Sequence, residues 1–183
     1  MRRYYFPKPY ADAVARLRVP SGFLLVAAFA WFADPTQASL VLGCALSCVG
    51  LWLRGWAAGH LAKNEDLACS GPYRFLRNPL YLGTLTVAAG LVLASRQTGL
   101  AILFGAVFLF VYLPVIEQEE QHLRKIFPAF ETYAQAVPLL LPTFGFAGGG
   151  KKFRWSLYLR NQEYQAALGF LAGAALLAWK AYR

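Results

Sequence analysis

The chain falls into long apolar blocks separated by short polar ones. Crossing a ~30 Å hydrocarbon layer takes about 20 apolar residues in a helix, fewer where end residues reach out to the interface. Five blocks meet this condition. They run from Val19 to Ala33, closed by Asp34-Pro35; from Ala38 to about Leu61, with Arg54 near the end; from Pro79 to Ser95; from Gly99 to Ile116; and from Tyr164 to about Trp179. Only Arg96-Gln97-Thr98 separates the third block from the fourth, which predicts an antiparallel helical hairpin. Alternation at period two, with turn signals between runs, is missing. The pattern therefore predicts an all-α, polytopic membrane protein of about five transmembrane helices, not a barrel or a soluble α/β domain.

Composition supports that reading. Hydrophobic residues make up 58% of the 183 positions and charged residues 15%, against ~45–50% and ~25% in a soluble domain. The same figures exclude disorder, collagen and coiled coil. Three cysteines, Cys44, Cys48 and Cys69, give no complete disulfide framework and no zinc spacing, so no metal site is expected. A net charge of +9 raises the question of nucleic acid, but the placement of the basic residues points to a membrane. Fifteen of the 18 Lys and Arg residues fall in the N-terminal arm, in the second-to-third connection taken with the end of the second block, and in the fourth-to-fifth connection; Arg96, Lys180 and Arg183 fall on the other side. By the positive-inside rule the N-terminus and both long connections are cytoplasmic and the C-terminus is outside. No cleaved signal peptide is expected, because the first apolar run begins late and no small-residue site follows it.

After Ile116 the polar run EQEEQHLRKIF continues the fourth helix out of the membrane, and Pro128, Pro138 and Pro142 break the segment beyond it into short pieces. Gly145 to Gly150 reads as a flexible joint. KKFRWSLYLR mixes cations with Trp155 and Tyr158, as an interfacial anchor does. With no internal repeat, residues 1–183 read as one membrane domain, its last part (151–183) an interfacial segment and an extra transmembrane helix.

Two segments hold polar groups that lipid would not tolerate without a use. In GPYRFLRNPLYLG, Gly71 to Gly83, Asn78-Pro79 has the form of an N-cap followed by proline at the first helical position. A helix start of this kind favours an anion such as a carboxylate. Arg74 and Arg77 stand beside it, and Arg77 has the planar fork that grips a carboxylate at two points. Tyr81 lies one turn inside, and Gly83 permits close approach of a ligand or a neighbouring helix. The plainer alternative is a capped helix with headgroup anchors. The second segment is Glu117, Glu119 and Glu120, at the junction with a hydrophobic span, where acids are expensive. A solvated face with Glu120–Arg124 and Glu119–His122 pairs is the competing reading. Arg54 and His60, in RGWAAGHLAK, complete the set. Arg54 either snorkels or serves the same surface, and His60 is a candidate general base with many structural alternatives.

GPYRFLRNPLYLG, then EE, then LRKIFPAFETYAQAVPLLLP resembles the isoprenylcysteine carboxyl methyltransferase and phospholipid methyltransferase superfamily over about residues 50–142. The resemblance implies an S-adenosylmethionine site built without a Rossmann domain, from the third and fourth helices and the following segment. It implies Tyr73, Arg77, Asn78, Tyr81, Gly83, Glu119 and Glu120 as cofactor residues, with Arg54 and His60 as catalytic candidates. The histidine usual in the family's RHP element is Asn78 here. Asparagine cannot ionise, so base catalysis from this position is excluded. The implied reaction is methyl transfer to a lipid-like or isoprenoid acceptor, with a carboxylate favoured; phospholipid N-methylation is the alternative. An NADPH-dependent sterol-type reductase and a transporter are remoter alternatives from other classes.

Overall fold

The computed structural model describes residues 5–144 and 149–183; most of the expected glycine joint at Gly145 to Gly150 lies outside them. No strand occurs among the described residues. The helices are α1 (Lys8–Phe32), α2 (Gln37–Ala58), α3 (Pro79–Ser95), α4 (Thr98–Val107), α5 (Leu113–Ile126), α6 (Phe130–Ala136), α7 (Trp155–Arg160) and α8 (Tyr164–Ala181). A π-helical stretch, Phe108–Tyr112, joins α4 to α5 into one rod of 29 residues. Three helical stretches are long and apolar enough to cross a membrane: α1, α2 and the α4–α5 rod. The apolar α3 has 17 residues and α8 has 18, shorter than the full span of about 20 residues.

Two expected boundaries move. The first helix begins at Lys8 instead of Val19, because Ala11 to Arg18 carries helix formers that continue the helix ahead of the apolar stretch. The second ends at Ala58 instead of Leu61: Asn161 donates to the carbonyls of Ala58 and Leu61 (3.0 and 2.9 Å), satisfying acceptors that the helix end leaves open. The polar run after Ile116 does continue its helix, which ends at Ile126 because Phe127, the residue before Pro128, takes an extended backbone.

The large helices alternate in direction. At one end Asp34 N–H bonds the Ser95 carbonyl, Ala33, Ala94, Leu100 and Leu177 pack together, and Lys180 donates to the carbonyls of Ala30 and Trp31. The start of α1, the end of α2, the starts of α3 and α8, and the end of the α4–α5 rod meet at the other. The tightest pair is α2 with α3. A Cβ on Gly43 would stand 2.4 Å from the Gly90 carbonyl oxygen, and one on Gly50 2.6 Å from that of Gly83. Ser47 Oγ donates to the Val87 carbonyl across the same seam (3.0 Å). Close backbone approach at small residues is how helices associate without a hydrophobic drive between them.

The π segment has a local cause. Pro114 has no N–H for the Phe110 carbonyl one turn earlier, and the Tyr10 hydroxyl supplies the missing donor at 2.6 Å. The register shift thus ties α1 to the rod close to the acidic run.

Candidate functional site

The RNP element is set by the segment that follows α6. Arg77 N–H bonds the Pro138 carbonyl (2.9 Å), Asn78 N–H that of Leu139 (3.2 Å), and Thr143 N–H that of Phe75 (2.8 Å). Phe130, Tyr133, Ala134 and Val137 form a buried cluster below this pairing, with Leu67 and Leu123 against it. Tyr133 donates its hydroxyl to the Tyr73 carbonyl (2.7 Å). Burial pushes the Tyr73 phenol well above its ordinary range, so it stays a neutral hydroxyl.

Arg77 and Glu120 form the centre of this end. Their side chains are each about 10% exposed; Nε and Nη2 of Arg77 hold the two carboxylate oxygens at 2.7 and 3.1 Å. Nη1 donates to the carbonyls of Ala134 and Val137 (2.6 and 3.0 Å), which the end of α6 leaves open. The two-point grip expected for a ligand carboxylate is thus spent inside the protein. Glu120 takes Arg77 and not Arg124; Arg124 pairs with Glu131 (3.0 Å). Asn78 also departs from expectation. Its side chain makes no cap bond and turns its amide to Glu120 (3.4 Å), while its backbone carbonyl receives the N–H groups of Tyr81 and Leu82.

The other two acids divide. Glu119 is half exposed, accepts the Tyr81 hydroxyl at 3.0 Å and faces Arg18 at 3.5 Å, in place of the expected pair with His122. Glu117 accepts the N–H groups of Tyr5 and Phe6 (2.7 and 3.1 Å) and so anchors the chain ahead of α1.

Arg54 does not snorkel. Its Nε and Nη2 clasp Glu163 (2.5 and 3.0 Å), and its Nη1 bonds the Thr84 hydroxyl and the Leu80 carbonyl. Glu163 is 8% exposed at the start of α8. Sequence reasoning missed it, although it borders an apolar block just as Glu117 to Glu120 do.

These groups wall a cavity of about 710 Å³, inside the ~300–1,000 Å³ range of small-molecule sites. Arg54, Tyr73, Arg77, Asn78, Tyr81, Glu119 and Glu120 line it, joined by Arg18, Thr84, Tyr112, Asn161 and Glu163, which the sequence did not single out. Two nominated residues stand elsewhere. Gly83 packs on α2, where a Cβ would meet Arg54 Cγ at 2.5 Å and the Gly50 carbonyl oxygen at 2.8 Å. It serves helix approach and does not line the cavity. His60 borders a separate cavity of about 30 Å³, with Nδ1 3.0 Å from Ser70 Oγ and its ring against Gly71, whose φ is +57°. Burial lowers its pKa, favouring the neutral ring.

The phospholipid methyltransferase family matches residues 38–129, half of the chain, from α2 through α5 to the start of the buried cluster. Two curated relatives are similar over much of the same length. The cobalt-zinc-cadmium resistance protein CzcN of Cupriavidus metallidurans is 31% identical over 128 residues, 69% of this chain and 57% of that protein. The nickel-cobalt-cadmium resistance protein NccN of Alcaligenes xylosoxydans xylosoxydans is 32% identical over 103 residues, 56% of this chain and 47% of that protein. The chain thus spans about half the length of these relatives. No solved structure matches it. The match agrees with the resemblance carried by the GPY, RNP and EE elements. This protein belongs to the phospholipid methyltransferase family of membrane methyltransferases.

Proposed function

We propose that this chain transfers a methyl group from S-adenosylmethionine to an amphipathic acceptor with an apolar tail and a carboxylate head, at the cytoplasmic face of the membrane. The observation that carries the reading is the 710 Å³ cavity at the polar end of the apolar helices, walled by the RNP and EE elements together. Its donor set fits the cofactor. Glu119, with an exposed carboxylate, suits ribose hydroxyls or the ammonium group, and Arg18 beside it suits the carboxylate. Glu120 and Asn78, held by Arg77, give a fixed polar wall. The cofactor supplies an already electrophilic methyl group, so the protein's task is alignment of the nucleophile and exclusion of water. A carboxylate is ionised at neutral pH and asks for no base, which suits a site from which His60 is absent. Arg54 orients the acceptor head, and the apolar tail extends between the helices into lipid.

A second reading keeps the cofactor and changes the acceptor. His122 stands exposed at the cavity rim and would take the proton from an amine, as phospholipid N-methylation requires. Calorimetry of the detergent-solubilised protein should show S-adenosylmethionine binding and no NADPH binding. Transfer of labelled methyl to N-acetyl-S-farnesylcysteine, but not to phosphatidylethanolamine vesicles, supports the carboxylate reading; the reverse result supports the amine. NADPH binding without S-adenosylmethionine binding overturns both.

A further inference from the structure

The C-terminal segment lies beyond the residues matched to the family, yet it closes one wall of the cavity. It is fixed at many points. Arg154 N–H bonds the Gly59 carbonyl (2.9 Å), and the Phe153 ring occupies the space where a Cβ on Gly59 would be. Lys151 pairs with Asp66 and Arg160 with Glu65. Asn161 caps α2. Gln162 then adopts a left-handed φ of +54°, strained for a non-glycine residue, and the chain turns so that Glu163 enters the protein beneath Arg54.

A guanidinium has five N–H donors. Arg54 uses one on Nε and one on Nη2 for Glu163, and Nη1 serves Thr84 and Leu80, leaving one N–H on Nη2. Arg77 is bonded in the same way, but its side chain is 10% exposed while that of Arg54 is 22% exposed and lines the cavity. Of these two clasped arginines Arg54 is therefore the one with both a spare donor and open surface, and Glu163 and Thr84 hold it from two sides. Arg18, also in the lining, meets Glu119 alone among the described residues and has no such clasp to fix its direction.

We propose that Glu163 is a positioning residue for the methyl acceptor, holding Arg54 so that its remaining N–H meets an oxygen of the acceptor carboxylate. The proposal rests on the methyltransferase reading above and adds to it a residue from outside the family-matched region. A two-point clasp sets direction as well as charge. A lone arginine on α2 would swing between the α3 carbonyls and solvent, with the acceptor head left free to tilt.

The test uses the full-length protein in detergent, with S-adenosylmethionine and N-acetyl-S-farnesylcysteine as probes. Binding of each to the parent is measured before transfer kinetics. Arg54→Gln should raise the acceptor KM by at least tenfold. Glu163→Gln and Thr84→Val should each raise it severalfold, while the cofactor Kd stays within twofold of the parent and reports an intact fold. Thr84→Val matters most, because it removes one hold on Arg54 without altering any charge. The double variant Arg54→Gln/Glu163→Gln should be no worse than Arg54→Gln alone, as expected when one residue acts through the other. An acceptor KM unchanged in Glu163→Gln and Thr84→Val reduces the clasp to a structural latch and overturns the proposal. A KM lowered in Glu163→Gln shows that Glu163 only masks the charge of Arg54, which overturns it too. A parent that binds the cofactor but not the carboxylate probe overturns the acceptor assignment and this proposal together. Absence of cofactor binding overturns the methyltransferase reading itself.

Discussion

Replacing Arg77 by methionine should be among the most damaging single changes at the polar end of the bundle. Arg77 and Glu120 are each about 10% exposed and joined at both carboxylate oxygens. Arg77→Met strands a buried carboxylate whose remaining hydrogen-bond partner is the Asn78 amide at 3.4 Å. It also leaves the Ala134 and Val137 carbonyls without this donor. Breaking a buried pair from one side costs about 3–5 kcal/mol. Part of the carbonyl loss is regained from water, so a total of about 4 kcal/mol is expected. Arg77→Lys keeps the charge but cannot span Glu120 and the two carbonyls from one nitrogen, and should cost about 2 kcal/mol. The double variant Arg77→Met/Glu120→Leu removes the stranded charge and should recover most of the loss, down to about 1–2 kcal/mol for the carbonyls. Unfolding in mixed micelles with increasing denaturing detergent, followed by far-ultraviolet circular dichroism, gives the ranking. A methionine variant as stable as the parent refutes the reasoning. So does a double variant no better than the single one.

Glu119→Gln should weaken S-adenosylmethionine binding by about ten- to a hundredfold, the loss expected for a hydrogen bond to a charged group, with little change in unfolding because the side chain is half exposed; calorimetry checks it. Gly50→Ala puts a Cβ 2.6 Å from the Gly83 carbonyl oxygen and 2.7 Å from Val87 N, both backbone, and should cost about 1–3 kcal/mol. Gly22→Ala, with nothing within 4 Å, is the near-neutral control in the same unfolding assay. His60 has its pKa lowered in the folded protein, so its contribution to stability is complete above the unfolded value of 6.5 and is lost as pH falls through the lower folded value; thermal scans should show that acid-side loss in the parent and less of it in His60→Gln. Single cysteines at the exposed positions Ala13 and Tyr182, in a background without the native cysteines, should label from opposite sides of sealed vesicles. Labelling of both from one side refutes the alternating arrangement.

Local chemistry alone placed much of this molecule. Apolar blocks gave the large helices, Asn78-Pro79 marked the start of α3, and acids beside a hydrophobic span marked the end of the α4–α5 rod as costly enough to need partners. Which partners they took was a different matter. Sequence spacing offered Glu120 the nearby Arg124, but tertiary packing gave it Arg77, 43 positions away, because only a buried site makes a two-point clasp outweigh a screened contact on a helix face. Asn78 passed over its own helix for the same carboxylate. Glu163 looked like one residue before a last apolar block until the left-handed turn at Gln162 brought it under Arg54. The close approach of α2 and α3 depended on which faces met, so Gly83 became part of a helix seam, while His60, beyond the end of α2, borders a separate cavity with Ser70 and Arg154. Helix formation is decided within a few turns of chain; the cavity is decided by where helix ends converge. That convergence is a sum of long-range contacts, and no local stretch of sequence contains it.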